Sequence, residues 1–399
     1  MILTILSYGM GVESTSILLR WVLEPETRPC PLSELLVIAA QTGNEYADTA
    51  RDVERYILPL MRAHRIRFVQ VARGGQHESD GIVVLSDTVE PDQVWVDGAY
   101  RLSDELERNG TVPTYSAEHR CSLKFKAWVI EQWLTANVRL PARHAFGYNA
   151  AETERVARSE AAFRERIAFG FNRDESARVA RSRRYNTPTR TAFYPLVEWG
   201  WDRNRCQEYI VRQLGIVWKR SACVFCPFNN LNDDAISRHK EHPQKVGDAL
   251  LLEHVSLALN PRATLYRDRS LIQITLDSGN QPALDAYRER LAGKSWAVYR
   301  VRRIYSRKAK ADRAVERVAV YPTATEALQY LNIISASHAI QIEELRGIKY
   351  VFLEKRSEAV FPCREEYFVA APAVVEEKAR YGLAWFEKKW TALQMELAF

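Results

Sequence analysis

The sequence has few cysteines and no long apolar run, and both shortages limit what the protein can be. Six cysteines occur in 399 residues, which argues against a disulfide-built secreted domain and favours reduced thiols for metal binding or catalysis. No stretch reaches the roughly 18 consecutive apolar residues of a membrane helix. The first apolar run, residues 2–6, lacks the basic flank of a signal peptide. We therefore expect a globular, cytoplasmic protein with no membrane partner.

Alternating strand and helix patterns fill the N-terminal half. Residues 2–6, 35–40 and 66–72 are short apolar runs typical of buried strands, and helical spacing follows the first two. This alternation predicts an α/β fold with a doubly wound, mostly parallel sheet. Residues 74–114 have a weaker pattern, which indicates a lid or an irregular insertion.

The pattern changes near Ser295, where apolar and basic residues begin to alternate. Thr323 with Glu326 three residues later predicts a capped helix. The sequence therefore predicts three parts: an α/β domain over residues 1–230, a helical extension over 231–294, and a smaller, basic α+β domain over 295–399.

A glycine-containing turn, residues 7–15, joins the first strand to the first helix. Backbone N–H groups collect at the positive end of a helix dipole, so such a turn can bind phosphate without a cationic side chain. The turn lacks the lysine of a Walker loop and the spacing of a dinucleotide fingerprint. Alone, it also fits an ordinary turn of an α/β protein.

The order of residues 9–14 resembles the PP-loop, Ser-Gly-Gly-x-Asp-Ser, of ATP pyrophosphatases and of the phosphoadenosine phosphosulfate (PAPS) reductase family. Gly11 and Ser14 match, whereas Gly9, Met10 and Glu13 replace the usual serine, glycine and aspartate. Four further matches to the same family follow in the same order, at residues 42–45, 120–126 and 147–155 and, in two pieces, at 194–200 and 221–228. The resemblance implies a PP-loop fold, similar to the adenine nucleotide alpha-hydrolases, over residues 1–230.

The resemblance also implies a set of site residues. The implied catalytic residues are Glu13, Ser14 and Arg155. Arg155 would bind the phosphates as a cationic clamp, and Mg²⁺ would neutralise the leaving pyrophosphate. The implied ATP-binding residues lie in the loop and in two later turns: Ser7, Gly9, Met10, Gly11, Ser14, Thr15, Thr42, Gly43, Glu45, Gly147 and Glu152.

Two cysteines, Cys223 and Cys226, form a C-x-x-C pair that can turn both thiolates toward one metal. The resemblance adds Cys121, and Cys206 is the natural fourth ligand. We expect a [4Fe-4S] cluster on these four, although zinc fits the same thiolates. A redox-active pair and buried thiols remain alternatives, and Cys206 also fits an ordinary core position.

The branch of the family that modifies DNA by phosphorothioation fits best, because the cysteine motif of true PAPS reductases is missing. This implies ATP cleavage to AMP and pyrophosphate, nucleic acid as sulfur acceptor, and a cysteine desulfurase or another sulfur-donor protein as partner. Arginine-rich residues 155–190 and basic residues 300–313 are candidates to contact phosphates, although each also fits a solvated helix face or an edge strand. The alternatives are a sulfonucleotide reductase, a tRNA-thiolating enzyme, and an inactive iron–sulfur or zinc module of a defence complex.

Overall fold

The chain folds into two compact units. The computed structural model describes residues 3–113, 120–138, 142–152, 190–229, 231–266, 269–307, 310–379 and 381–396. The first unit comprises residues 1–102 with 118–223, and the second comprises 103–117 with 224–399. Among the described residues, every helix is too short or too polar to cross a bilayer.

The first unit is built on a six-stranded sheet in the order β4-β3-β2-β1-β5-β6. All neighbours in it are parallel except β4, which pairs antiparallel with β3. The prediction of an α/β fold with a mostly parallel sheet is confirmed. The strands are β1 Leu3–Ser7, β2 Leu35–Gln41, β3 Arg67–Arg73, β4 Ile82–Thr88, β5 Ala142–Ala145 and β6 Arg190–Phe193.

Helices cover both faces of this sheet, which explains why β1 to β3 are continuous apolar runs. One face packs Leu6, Val37 and Phe68 against apolar residues of α1, α3 and α8. The other packs Ile38 and Val69 against α6. The helices of this unit are α1 Val12–Leu23, α2 Ala47–Asp52, α3 Leu58–Ala63, α5 Arg120–Ser122, α6 Trp128–Asn137, α7 Pro195–Glu198 and α8 Arg203–Leu214, with π-helical turns at Val53–Ile57 and Leu123–Ala127 and 3₁₀ turns at Pro25–Thr27, Leu32–Glu34 and Glu78–Asp80.

The prediction of an irregular insertion over residues 74–114 is wrong in part. This segment contains the edge strand β4 and the helix α4 Leu102–Asn109, which continues into the second unit. Most residues of β4 are only partly buried, as on an edge strand, and its apolar run is limited to its first four residues, 82–85.

The second unit is built on a six-stranded antiparallel sheet in the order β12-β8-β7-β11-β10-β9. Its strands are β7 Trp296–Arg307, β8 Lys310–Tyr321, β9 Glu343–Leu345, β10 Ile348–Glu354, β11 Cys363–Pro372 and β12 Lys378–Ala379. Its helices, besides α4, are α9 Asp233–Glu241, α10 Pro243–Leu259, α11 Leu271–Asp277, α12 Gln281–Ala292, α13 Ala324–His338 and α14 Leu383–Glu396. The predicted cap of α13 is confirmed, because Thr323 and Glu326 form a capping box.

Part of the basic run of residues 300–313 forms β7, which pairs with a strand on each side. This part is therefore neither a solvated helix face nor an edge strand. Arg300 binds the Glu366 carboxylate, and Arg302 binds that of Glu387. Arg303 donates to the carbonyl of Leu259. Internal acceptors therefore occupy these guanidinium groups.

Candidate functional site

The glycine turn predicted from the sequence lies at the carboxyl end of β1. The chain builds outward from β1 to β4 and then returns to place β5 on the other side of β1. In open α/β sheets this change of direction leaves a crevice at the carboxyl ends of the two strands. The turns after β1 and β5 both lie at this point.

Gly11 is the N-cap of α1, and no described side chain caps the first turn of this helix. The Thr15 amide donates to the Gly11 carbonyl at 3.0 Å, which starts the helical ladder. The amides before Thr15 have no partner within the helix, because the first turn of any α-helix leaves its N–H groups unpaired. They are therefore suited to bind an anion.

Met10 has a positive φ of 59°, a conformation that costs an ordinary residue about 1–2 kcal/mol and glycine almost nothing. Two contacts hold it there. Its side chain is buried, and its carbonyl accepts a hydrogen bond from the Trp218 indole at 3.0 Å. Met10 therefore keeps the backbone shape that a glycine would take at this position.

Gly147, just after β5, approaches the start of α1 closely. A Cβ atom on Gly147 would lie 3.1 Å from the Ser14 backbone nitrogen and 3.4 Å from the Glu13 Cβ. Glycine at this position lets the turn after β5 lie directly against the first helical turn.

A cavity of about 720 Å³ opens at this edge of the sheet. Lys126, from the second π-helical turn, lines it with Arg203 and Arg220, so cationic side chains reach it from three separate segments. Glu13, Glu152 and Asp202 also line it. The predicted site residues that line the cavity are Ser7, Gly9, Gly11, Glu13, Ser14, Gly147 and Glu152.

Glu13 connects the phosphate turn to two later segments. Arg203 donates to its carboxylate at 2.8 Å, and the Asn149 side-chain amide lies 3.5 Å from the same oxygen. The Asn149 backbone N–H donates to Glu152 at 3.1 Å. These bonds bring Glu13 and Glu152 to one wall of the cavity.

Ser7 forms a second polar pair at the end of β1. Its Oγ lies 2.7 Å from Nε2 of His144, and the imidazole stacks on Phe146 with ring centroids 4.4 Å apart. The sequence gives no signal for this pairing, because it depends on β1 and β5 being neighbours.

The remaining nucleotide-binding candidates do not line this cavity in the described part of the chain. Thr15 is buried, and its hydroxyl lies 3.2 Å from that of Tyr8, where burial raises the pKa of the phenol. The Met10 side chain is buried, as described above. Thr42, Gly43 and Glu45 lie in the turn after β2. Arg155 lies outside the described residues.

The turn after β2 contacts residues 221–223, where the C-x-x-C pair begins. The buried Glu45 carboxylate accepts from the Ser221 hydroxyl and the Ala222 amide, both at 2.8 Å. Thr42 Oγ1 lies 3.2 Å from Cys223 Sγ. Gly43 has a φ of 79°, and a Cβ there would meet the Arg101 side chain at 2.5 Å.

The cysteines differ in their surroundings. Cys121 and Cys223 in the first unit and Cys226 in the second are partly exposed. Cys206 lies on α8 within the apolar core, fully buried, and burial raises the pKa of its thiol to about 11. That environment disfavours the thiolate, which is the form that binds metals.

Sequence reasoning missed Lys126, Arg203, Arg220, Asn149 and His144 as site residues. Lys126 and Asn149 lie within segments 120–126 and 147–155, which resemble the family, so those segments could have indicated both residues. The two arginines follow no motif, since their positions depend on how α8 and residues 219–221 fold back onto the turn.

The chain was compared with protein-family models, with curated proteins and with solved structures, and none of the three comparisons gave a match.

Proposed function

We propose that this chain is a PP-loop ATP pyrophosphatase that adenylates a substrate for sulfur transfer, with nucleic acid as the acceptor. One observation carries the proposal: the uncapped first turn of α1, with Gly9 and Gly11, borders a cavity that Lys126, Arg203 and Arg220 also line. Unpaired amides and cationic side chains at one place suit a polyphosphate.

The proposed reaction is an in-line displacement at the α-phosphorus of ATP. An oxygen of the acceptor forms a bond to this phosphorus, and the bond to the bridging oxygen of pyrophosphate breaks with its electron pair leaving on pyrophosphate. Pyrophosphate leaves with more negative charge than it carried in ATP, so fixed donors that neutralise it lower the barrier. The amides of residues 11–14 and Lys126 are the candidates for this role.

A magnesium ion fits the donor set, because the carboxylates of Glu13 and Glu152 line the same cavity as the phosphate turn. Hard oxygen ligands of this kind, together with phosphate oxygens, suit Mg²⁺. The ion would supply positive charge to the phosphates.

A four-cysteine cluster fits less well. Cys206 packs in the apolar core, which leaves Cys121 and Cys223 as the first unit's candidate thiolates for an iron–sulfur cluster or zinc. No step of the proposed reaction passes through such a group. Metal analysis of protein purified without oxygen tests it, with about four iron atoms expected for a cluster.

Nucleic acid is proposed as the sulfur acceptor because the chain is basic. The chain carries a net charge of +6, and the arginine-rich residues 155–190 lie mostly outside the described residues. Since internal acceptors occupy Arg300, Arg302 and Arg303, the basic strand β7 adds little to this argument. Retarded migration of DNA or tRNA that is lost at raised salt is the expected behaviour.

The deciding experiment uses ATP labelled at the α-phosphate, with Mg²⁺ and with or without DNA, tRNA and a persulfide donor. We expect AMP and pyrophosphate. The K126M variant should lower the rate about 100- to 1,000-fold, as loss of one charge-stabilising donor does. The K124M variant, which changes a lysine of the same π-helical turn that does not line the cavity, should stay within about threefold. ADP and inorganic phosphate as products, or equal rates in both variants, would contradict the proposal.

A further inference from the structure

A second cavity, of about 320 Å³, lies in the first unit beside the last turns of α1. Its described lining residues are all different from those of the cavity at the phosphate turn. Trp21, which lines it, is nine residues beyond Val12, or about 13 Å along a helix that rises 1.5 Å per residue. The second cavity is therefore a separate site.

The indole N–H of Trp21 has no acceptor among the described residues, although the side chain is only 1% exposed. An indole nitrogen can only donate a hydrogen bond. Buried donors are normally paired, so this unpaired group indicates that an acceptor from outside the chain belongs in the cavity.

Two arginines line the same cavity. Arg28 donates to the Trp21 carbonyl at 3.3 Å, and within the described ranges neither Arg28 nor Arg143 forms an ion pair with a carboxylate. Among the described residues of the lining, Glu198 is the one carboxylate. Guanidinium groups only donate, so this set of side chains has more donors than acceptors and suits an anion.

The walls are aromatic. Trp21 and Phe193 stack with ring centroids 6.1 Å apart and an interplanar angle of 18°. The Trp199 ring also lines the cavity, and the Arg20 guanidinium lies 4.3 Å from its centroid. A ligand with a flat ring would bury apolar surface here, and the volume is at the lower end of the range, roughly 300–1,000 Å³, of small-molecule sites.

We infer that this cavity binds a nucleoside monophosphate. The phosphate would accept from Arg28, Arg143 and the Trp21 N–H, the base would pack on the aromatic walls, and Glu198 would accept from an N–H of the base. This site is distinct from the proposed ATP site, and the inference does not rest on the proposed function.

The test measures binding of AMP and of adenosine to the full chain by equilibrium dialysis. AMP is also a product of the proposed reaction, so all variants carry K126M to weaken binding at the first cavity. R143M should weaken AMP binding about 10- to 100-fold, because a charge-assisted hydrogen bond is lost. W21F, which keeps a ring but removes the donor, should weaken it about 3- to 10-fold. R51M changes an exposed arginine that lines neither cavity and is the matched control.

AMP binding that is unchanged by both R143M and W21F would overturn the inference, and so would adenosine binding as tightly as AMP. A 5′-phosphorylated trinucleotide distinguishes two sources of the ligand. If it binds with the same dependence on Arg143, the site takes the end of a nucleic-acid strand; if only AMP binds, it takes a free nucleotide. R143M without K126M should release pyrophosphate from ATP at a rate within about twofold of the unaltered chain, so the two proposals can fail separately.

Discussion

Single residues define the phosphate turn, and Met10 shows how a departure from a motif can preserve its shape. The resemblance places a glycine at this position, and the structure gives Met10 a φ of 59°. The Trp218 indole fixes its carbonyl and the core buries its side chain. Packing thus offsets a backbone cost of about 1–2 kcal/mol.

Gly147 offers a direct test of the phosphate turn. In the G147A variant the added methyl group lies 3.1 Å from the Ser14 nitrogen, so the first turn of α1 must shift by a few tenths of an ångström. We expect ATP affinity to fall about 10-fold and the free energy of unfolding to fall by about 1–3 kcal/mol. Calorimetry with ATP and Mg²⁺ measures the first effect, and urea unfolding measures the second.

The matched control is G293A. A methyl group on Gly293 would meet its nearest neighbour at 3.6 Å, an ordinary contact, and its φ is −80°. ATP affinity should not change in this variant. Equal affinities in G147A and G293A would show that the turn does not bind the phosphates.

At the residue scale, the sequence could predict positions within the motif and little beyond it. Gly11, Glu13 and Ser14 line the cavity because the strand-turn-helix unit places them by local geometry, whereas Gly147 lines it because β5 pairs with β1. His144 and Arg203 meet the turn only through long-range packing, and a single sequence does not encode that in any short pattern.

At the scale of elements, the turn after β2 and residues 219–223 act together. Glu45 supplies the contacts: its Oε1 also accepts from the Thr49 hydroxyl at 3.1 Å, in addition to the Ala222 amide. A buried carboxylate with this many donors has its charge compensated by hydrogen bonds. Glu45 therefore supplies two of the hydrogen bonds that hold residues 219–223, alongside the Lys219–Asp48 ion pair at 3.0 Å and the Thr42–Cys223 contact.

The E45A variant tests this role of Glu45. Removing the carboxylate leaves the Ala222 amide and the Ser221 hydroxyl without their acceptor, and we expect the free energy of unfolding to fall by about 3–5 kcal/mol. E45Q retains most acceptor positions, because the Ser221 hydroxyl can rotate to accept, and should lose about 1–2 kcal/mol. Urea unfolding measures both, and limited proteolysis should cut E45A within residues 216–224. An E45A chain as stable as the unaltered one would show that other contacts hold the segment.

At this scale the strands that are covered on both faces could be predicted, whereas the edge strand β4 and the charged strand β8 were missed. β1 to β3 are covered on both faces, so their apolar runs identify them. β4 is an edge strand with partial burial, and β8 has charged residues among its apolar ones. Arg302 and Arg303 on β7 are buried with acceptors, whereas composition alone suggested a solvated surface.

At the scale of the whole molecule, each unit has its own sheet and its own cluster of buried apolar residues. Among the described residues, those that line the proposed ATP site all belong to the first unit. Ligand binding stabilises the folded part that binds it, and by an amount that mass action fixes. The two units should therefore respond differently to nucleotide.

This difference can be measured by differential scanning calorimetry of the full chain. At an ATP concentration about 100 times Kd, with Mg²⁺, binding should stabilise the first unit by about 2.7 kcal/mol. For a unit of roughly 200 residues, that raises Tm by about 5–10 °C, whereas a transition of the second unit should stay in place. Adenosine at the same concentration, which lacks the triphosphate, should shift the first transition far less because the phosphate turn gains no ligand. A shift confined to the second transition would place nucleotide binding outside the turn between β1 and α1, and the G147A variant would then show the same shift as the unaltered chain.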